Sequence, residues 1–327
     1  MDIGTYQQLG LQISMADASV VPMINGRSNA EIVDALATPS DRQYNPCREA
    51  SVVDGVPTGK VTAFHDWIGS KVFAGTKRDL WIYVPPAFDP LGPPPSLLVC
   101  NDGGGYLAAD GPVRATVVLD NLLYNSEIAP TIAVFVHPGR PLDVRSRREL
   151  APGEADDLRA TKQRSVEYDS CTDSYARFLI EDLLPFVEDQ IGCSLTDDPS
   201  HRTVCGISSG GICAFTAAWY RPDVFGRVLS HCGSFTAIRG GHNYPYLIRS
   251  TPRKPIRVFL QSGETDADIV FGNWPLANKE VASALRFAGS DVKFVFGEGG
   301  HSLRHGGAVF ADSLRWLWRI SSADAPE

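Results

Sequence analysis

A serine between two glycines is the residue in this sequence best placed to do chemistry. Ser208 lies in the segment GISSG at residues 206–210, which fits the pattern G-x-S-x-G. An apolar run at 203–205 precedes the segment, and an apolar-periodic stretch follows it through Tyr220. This context predicts a nucleophile elbow: a strand, a sharp turn that holds the serine in a strained conformation, and a helix. Ser208 is therefore the candidate nucleophile, flanked by glycines because strand and helix approach too closely for a Cβ atom.

Backbone N–H groups beside the serine are expected to stabilise the negative charge that forms on a substrate oxygen during attack. The first predicted donor is the N–H of Ser209, at the start of the helix. The second should come from the loop after an earlier strand, where the sequence reads DGGGY at 102–106. Gly104 is the predicted second donor and Gly105 the alternative, because glycine leaves the backbone N–H unshielded.

A neutral serine hydroxyl is a weak nucleophile, so it needs a base and a third group that orients the base. On such a fold the chain order is serine, acid, histidine. A strand candidate at 256–261 is followed by Glu264, Asp266 and Asp268. Asp266 is the predicted acid because its short side chain can reach inward, and Glu264 and Asp268 stay open as alternatives.

His301 is the predicted base, because it follows the last strand candidate, 292–296, across glycines that let the backbone carry an imidazole over the sheet edge. His305 lies four residues later and would share a helix face with His301, a spacing that metal pairs use. However, no glutamate follows His301 and no third ligand is evident. The sequence therefore predicts neither a metal ion nor a cofactor.

The elements around these residues alternate between strands and helices. Apart from the strand before Ser208, strands are predicted at 60–67, 78–84, 96–101, 131–137, 227–231, 256–261 and 292–296, and helices at 29–37, 113–123, 175–191, 275–288 and 308–320. The polar segment 138–170 is predicted to be a long loop. The pattern indicates an α/β fold with a mainly parallel, doubly wound sheet and an antiparallel N-terminal hairpin.

Residues 1–58 lack strong periodicity and are predicted to form an extension that packs on the body, so that 59–327 form the main domain. The net charge of −8 and a pI near 5.4 argue against a nucleic-acid partner. No apolar run is long enough for a membrane span, and no signal peptide is recognised. The seven cysteines show no metal-like spacing, which favours reduced thiols and a cytoplasmic location.

With these residues identified, the sequence resembles the putative-esterase family of α/β-hydrolases, which includes enterochelin esterases and bacterial feruloyl esterases. The resemblance is carried by DGGGY at 102–106, RSVEYDS at 164–170, YARFLIEDLLPFVE at 175–188, GISSGGICAFTAAWYRPDVFGRVLS at 206–230, GETDAD at 263–268 and GEGGHSLRHGG at 297–307. It implies an α/β-hydrolase fold, a triad of Ser208, Asp266 and His301, and hydrolysis of a carboxylic ester. Enterochelin esterases proper have a large N-terminal domain, for which residues 1–58 are too few, so the substrate stays open.

Glu167, Tyr168 and Trp274 are predicted to border the substrate pocket, because they lie in the long loop and in the segment after the acid. Ordinary packing and salt-bridge roles are the alternative. A small-molecule ester is the expected partner, and a homo-oligomer is neither indicated nor excluded. Two other functions stay open: lactone hydrolysis or acyl transfer by the same triad, and ligand binding by a hydrolase fold that lacks activity.

Overall fold

The structure of the protein is a computed structural model that describes residues 39–151, 154 and 156–319. The helix predicted at 29–37 lies outside these residues. The strands of the described residues are β1 (Lys60–Trp67), β2 (Thr76–Val84), β3 (Ser96–Asn101), β4 (Thr131–Val136), β5 (Arg140–Pro141), β6 (Arg202–Ile207), β7 (Arg227–His231), β8 (Arg257–Gly263), β9 (Asp268–Ile269), β10 (Gly272–Asn273) and β11 (Asp291–Gly297).

The helices alternate with these strands along the chain. They are α1 (Gly103–Leu107), α2 (Ala115–Tyr124), α3 (Leu158–Tyr168), α4 (Ser174–Arg177), α5 (Leu184–Ile191), α6 (Ser209–Tyr220), α7 (Tyr244–Ser250), α8 (Trp274–Phe287), α9 (Leu303–Ala308) and α10 (Phe310–Trp318). A π-helical segment, Phe178–Leu183, joins α4 to α5.

The main sheet has the strand order β1-β2-β4-β3-β6-β7-β8-β11, and β5 pairs with β2. The pairs β1–β2 and β2–β4 are antiparallel, whereas β3, β4, β6, β7, β8 and β11 pair in parallel. The prediction of a mainly parallel sheet with an antiparallel hairpin at its start is confirmed. Parallel strands end at the same sheet edge, so the segments after β6, β8 and β11 lie close together there.

Apolar side chains cover both faces of this sheet, as the doubly wound prediction requires. Along β3, Leu97 and Val99 join the cluster that contains residues of α5, α6 and α8. Leu98 and Cys100 join the opposite cluster, with residues of α2 and α10. Successive side chains of a strand point to opposite faces, so an apolar strand such as β3 is buried on both sides.

The prediction of a long loop at 138–170 is wrong, because this segment contains α3 and the short strand β5. The side chain of Asp157 caps α3 by accepting the N–H of Arg159 at 2.8 Å. The helix sequence, LRATKQRSVEY, is polar for most of its length and shows no continuous apolar stripe. Periodicity therefore did not identify it. The helix predicted at 308–320 is present as α10, and a separate short helix that the sequence did not predict, α9, precedes it.

Candidate active site

Ser208 occupies the sharp turn between β6 and α6, with φ 57° and ψ −122°. This backbone conformation is unfavourable for a residue with a side chain. A Cβ atom on Gly206 would lie 2.2 Å from the carbonyl oxygen of Gly210, so strand and helix approach as closely as the motif predicts. The Ser208 N–H donates to the carbonyl of His231 at 2.9 Å, and the Ser208 carbonyl accepts from the N–H of Ser234 at 3.0 Å. These two bonds hold the strained turn.

The structure brings together the three side chains predicted to form the triad. The Ser208 Oγ lies 2.9 Å from His301 Nε2, and His301 Nδ1 lies 2.6 Å from Asp266 Oδ1. The Asp266 carboxylate also accepts from the N–H of Ala267 at 2.7 Å and from the hydroxyl of Ser262 at 3.0 Å. Because the Asp266 carboxylate can only accept hydrogen bonds, His301 must carry a proton on Nδ1. Its Nε2 is then free to accept the proton of Ser208.

Burial distinguishes Asp266 from the two acids that the sequence left as alternatives. Glu264 and Asp268 are exposed, whereas the Asp266 side chain is fully buried against His301. The short loop after β8 turns only the middle acid inward, since the Asp266 N–H donates back to the carbonyl of Gly263 at 3.2 Å. Only Asp266 of the three contacts the histidine.

The loop that carries His301 is held by residues near the start of the described chain. Asp41 accepts the N–H of Gly300 at 2.8 Å, and the hydroxyl of Tyr44 accepts the N–H of Glu298 at 3.0 Å. The Tyr44 ring stacks on His305 with ring centroids 4.1 Å apart. Asp41 and Tyr44 thus support the backbone just before the candidate base, and no motif in the sequence indicated them.

The two candidate oxyanion donors differ in their surroundings. Ser209 is the first residue of α6, so its N–H has no acceptor one turn earlier in the helix. The Gly104 N–H, in contrast, donates to His137 Nε2 at 3.1 Å, and the Gly105 N–H donates to the Asp102 carbonyl at 3.0 Å. The sequence predicts that these N–H groups are unshielded, and in the structure both already have an acceptor within the protein.

His137 is a good acceptor for this N–H because it is neutral. Burial lowers the pKa of His137, which disfavours the imidazolium form. The adjoining turn is anchored by a two-pronged ion pair in which Arg164 contacts Asp102 at 2.7 and 3.0 Å. For Gly104 to serve a substrate oxygen, its N–H would have to leave the His137 ring.

Two of the residues predicted to border the pocket support the fold instead. The side chains of Glu167 and Arg78 have no exposed surface and form a two-pronged ion pair at 2.7 and 3.1 Å. Glu167 also accepts the N–H of Gly139 at 3.1 Å. Tyr168 is 1% exposed, and its hydroxyl accepts the N–H of Asp102 at 3.2 Å. Neither side chain is accessible to a ligand, because α3 packs both into the interior.

Trp274 is also buried, at 1% exposure, but it contacts the candidate triad. Its ring stands edge-on to His301 with centroids 5.8 Å apart, and its Nε1–H donates to the hydroxyl of Ser234 at 3.2 Å. Ser234 was not identified from the sequence. Its position shortly after β7, the strand beside β6, which leads into Ser208, is the signal that could have indicated it.

The described residues include one set of three metal-ligand types whose atoms lie within 4.8 Å of one another: Cys232, Asp266 and His301. A metal ion there would have to separate His301 Nδ1 from Asp266, which now bind each other. His305 points elsewhere, because its Nδ1 lies 3.0 Å from the amide nitrogen of Gln261. The pair His301 and His305 therefore does not converge on one ion.

His231, below the elbow, is a buried histidine that the triad does not use. Its Nδ1 lies 2.9 Å from the hydroxyl of Tyr106. Burial, followed by the nearby His305, lowers the pKa of His231 from 6.5 to about 3. As the pH falls below 6.5, His231 binds a proton in the unfolded chain but stays neutral in the folded protein. The free energy of unfolding therefore falls between pH 6.5 and about 3.

We expect this residue to make the free energy of unfolding fall by about 2 kcal/mol between pH 8 and pH 5. His231→Gln, which removes the titrating group but keeps a polar side chain, should lose that part of the pH dependence. Urea unfolding of both proteins across the pH range measures it, with His242→Gln as the matched exposed substitution. Parallel curves for His231→Gln and the unchanged protein would contradict the expectation.

Comparisons with known proteins find esterases among the proteins similar to this chain. An iron(III) enterobactin esterase of Dickeya dadantii (strain 3937) is 29% identical over 145 residues, which cover 37% of this chain and 30% of that protein. The enterobactin esterase of Shigella flexneri, solved in the presence of enterobactin, superposes with a TM-score of 0.60 at 19% identity, covering 84% of this chain and 62% of that one. A CE1 ferulic acid esterase from the anaerobic fungus Anaeromyces mucronatus gives 0.58 at 17%, covering 83% and 95%.

These solved structures establish the α/β-hydrolase fold for this chain, as the resemblance implied. The chain spans less than two thirds of the length of the two enterobactin esterases. No helix among the described residues is long and apolar enough to cross a membrane. The family described as "Putative esterase" matches residues 70–305, the greater part of the sequence including every candidate triad residue, and the chain belongs to that family.

Proposed function

We propose that the protein is a carboxylic ester hydrolase that works through a serine nucleophile and an acyl-enzyme. One observation carries the proposal: Ser208 Oγ, the two ring nitrogens of His301 and the Asp266 carboxylate form a continuous row, with contacts of 2.9 and 2.6 Å. Such a row allows a hydroxyl to lose its proton while it attacks a carbonyl. Membership of an esterase family supports the reaction class.

In the acylation half of the reaction, Ser208 Oγ bonds to the ester carbon while His301 Nε2 takes its proton. The bond to the alcohol oxygen then breaks, His301 returns the proton to that oxygen, and the acid remains bound to Ser208. In the second half, water attacks the acyl carbon, His301 takes the water's proton, and the proton passes to Ser208 Oγ as the acid leaves. Asp266 holds the imidazole and stabilises its charged form.

The oxyanion that forms in each half needs donors beside Ser208. We assign the Ser209 N–H as the first donor, where the positive end of the α6 dipole adds to the stabilisation. Gly104 is the second, provided that its N–H turns from His137 to the substrate oxygen. Nε2 of the neutral His137 would then lose its hydrogen-bond donor. A donor from the substrate or from a water molecule would have to replace the Gly104 N–H there.

A cavity of about 210 Å³ lies beside Asp102, which precedes α1, and we expect part of the substrate to lie there. Its walls include Asp102, His137 and Arg164, and further arginines that pair with acids, so several charged groups face the cavity. The structural neighbours include an enterobactin esterase solved in the presence of 2,3-dihydroxy-N-benzoyl-serine and a ferulic acid esterase. Esters of hydroxylated aromatic acids are therefore the first class to test, and a cytoplasmic location stays a prediction.

The decisive experiment has two arms. A fluorophosphonate should label the purified protein once per chain, on the peptide that contains Ser208. Hydrolysis is then measured across acetyl, butyryl, feruloyl and 2,3-dihydroxybenzoyl esters, a lactone, and one ester with added alcohol. Labelling with ester turnover supports the proposal, and transfer to the alcohol or lactone opening identifies the related activities. A folded protein that neither labels nor turns over any ester would contradict the proposal and favour a ligand-binding role.

A further inference from the structure

A second buried hydroxyl contacts the candidate nucleophile. The Ser234 Oγ lies 3.2 Å from Ser208 Oγ and also 3.2 Å from Nε1 of Trp274. Ser234 and Trp274 are each 1% exposed, so water does not compete for the contact between them. The hydrogen-bonded row of Ser208, His301 and Asp266 is thus extended at its Ser208 end, first by Ser234 and then by the indole of Trp274.

The direction of every hydrogen bond in this row follows from what each group can donate. An indole N–H only donates, so Ser234 Oγ accepts from Trp274. At the other end the carboxylate of Asp266 only accepts, so His301 carries its proton on Nδ1 and accepts at Nε2. The one hydrogen of Ser208 is therefore directed to His301. The hydrogen bond between the hydroxyls of Ser208 and Ser234 must therefore use the hydrogen of Ser234, which donates to Ser208 Oγ.

We propose that Ser234 is an auxiliary donor to the nucleophile: its hydroxyl directs the Ser208 proton to His301 and stabilises negative charge on Ser208 Oγ. The inference rests on the proposed function. A hydrogen bond to an oxygen that gains charge is stronger than one to a neutral oxygen. The donor therefore assists when Ser208 Oγ gives up its proton to His301 and again when Ser208 Oγ leaves the acyl carbon.

The position of Ser234 is held independently of this hydrogen bond. Its own N–H donates to the Ser208 carbonyl at 3.0 Å, so the two residues are linked through the backbone as well. The carbonyl of the preceding residue, Gly233, accepts from the side-chain amide of Asn278 at 2.9 Å. A donor fixed in this way loses no freedom when charge develops, which is the condition for effective electrostatic stabilisation.

The rate of labelling by a fluorophosphonate tests the inference, because it reports on Ser208 without requiring the natural ester. Ser234→Ala should lower the labelling rate constant and kcat by about 10- to 100-fold and leave KM unchanged, since the lost bond is to the enzyme's own oxygen. Ser234→Thr keeps the hydroxyl and should recover most of the rate. Thr236→Val, which removes a buried and unpaired hydroxyl from the same loop, is the control and should label at the wild-type rate.

A double-mutant cycle tests the path from the indole. Trp274→Phe keeps a ring against His301 but removes the N–H, and should slow labelling about 3- to 10-fold in the natural background. In the Ser234→Ala background the same change should have no further effect. If Ser234→Ala proves unfolded, the test rests on Trp274→Phe alone, which should lower the labelling rate and leave KM unchanged.

Wild-type labelling rates in folded Ser234→Ala, or equal effects of Trp274→Phe in both backgrounds, would overturn the inference while the proposed function stands. A wild-type protein that does not label at all would overturn the proposed function, and the inference with it. The two failures are therefore distinguishable.

Discussion

Ser208→Ala is expected to lower kcat/KM for any ester that the protein hydrolyses by about 10,000-fold or more. Without the hydroxyl no acyl-enzyme forms, and only binding and the backbone donors remain to promote attack by water. Steady-state turnover of the best ester from the panel measures the loss, and fluorophosphonate labelling should disappear in parallel. Residual activity within about 100-fold of the natural protein would mean that another group is the nucleophile.

The same position allows a control for the state of the fold. Ser208 has φ 57°, which glycine adopts without strain and alanine does not. Ser208→Gly should therefore be as inactive as Ser208→Ala but more stable, by about 1 kcal/mol. Urea unfolding measures the difference. If both variants lose activity although Ser208→Gly is the more stable of the two, the loss comes from the missing hydroxyl and not from damage to the turn.

Glu167→Ala is expected to lower the free energy of unfolding by about 3–5 kcal/mol. The change leaves the guanidinium of Arg78 buried without its carboxylate, in a site where neither side chain of the pair reaches solvent. The backbone N–H of Gly139 loses its acceptor as well. Because a domain of this kind is typically stable by only about 5–15 kcal/mol, much of the variant should be unfolded at moderate urea.

An exposed pair of the same chemistry provides the control. Glu181 and Arg177 form a helical ion pair whose side chains are 49% and 48% exposed, so Glu181→Ala should change stability little. Glu167→Gln keeps the shape of the buried side chain and should fall between the two. If Glu167 instead bound substrate, its variants would raise KM and leave urea unfolding unchanged, which would contradict the buried-pair interpretation.

The sequence by itself determined the sheet and the elbow, and it indicated the candidate base. Most strand bounds were predicted to within two residues, because apolar runs and the turn residues between them are local signals. The elbow was recognisable because Gly206 must be glycine for β6 and α6 to approach. His301 could be predicted because it follows the last predicted strand across the glycines at 297, 299 and 300, which is also a local signal.

Only the tertiary structure decided which side chains meet. Asp266 was one of three acids within five residues, and its burial against His301 depends on a strand far along the chain. The polar helix α3 was unrecognisable from periodicity, so Glu167 was placed at a pocket when it pairs with Arg78. Ser234 had no motif, and its role follows from contacts to Trp274 and Ser208 that no local pattern encodes. Backbone conformation depends on near neighbours, whereas the partners of a side chain are fixed by distant residues that folding brings together.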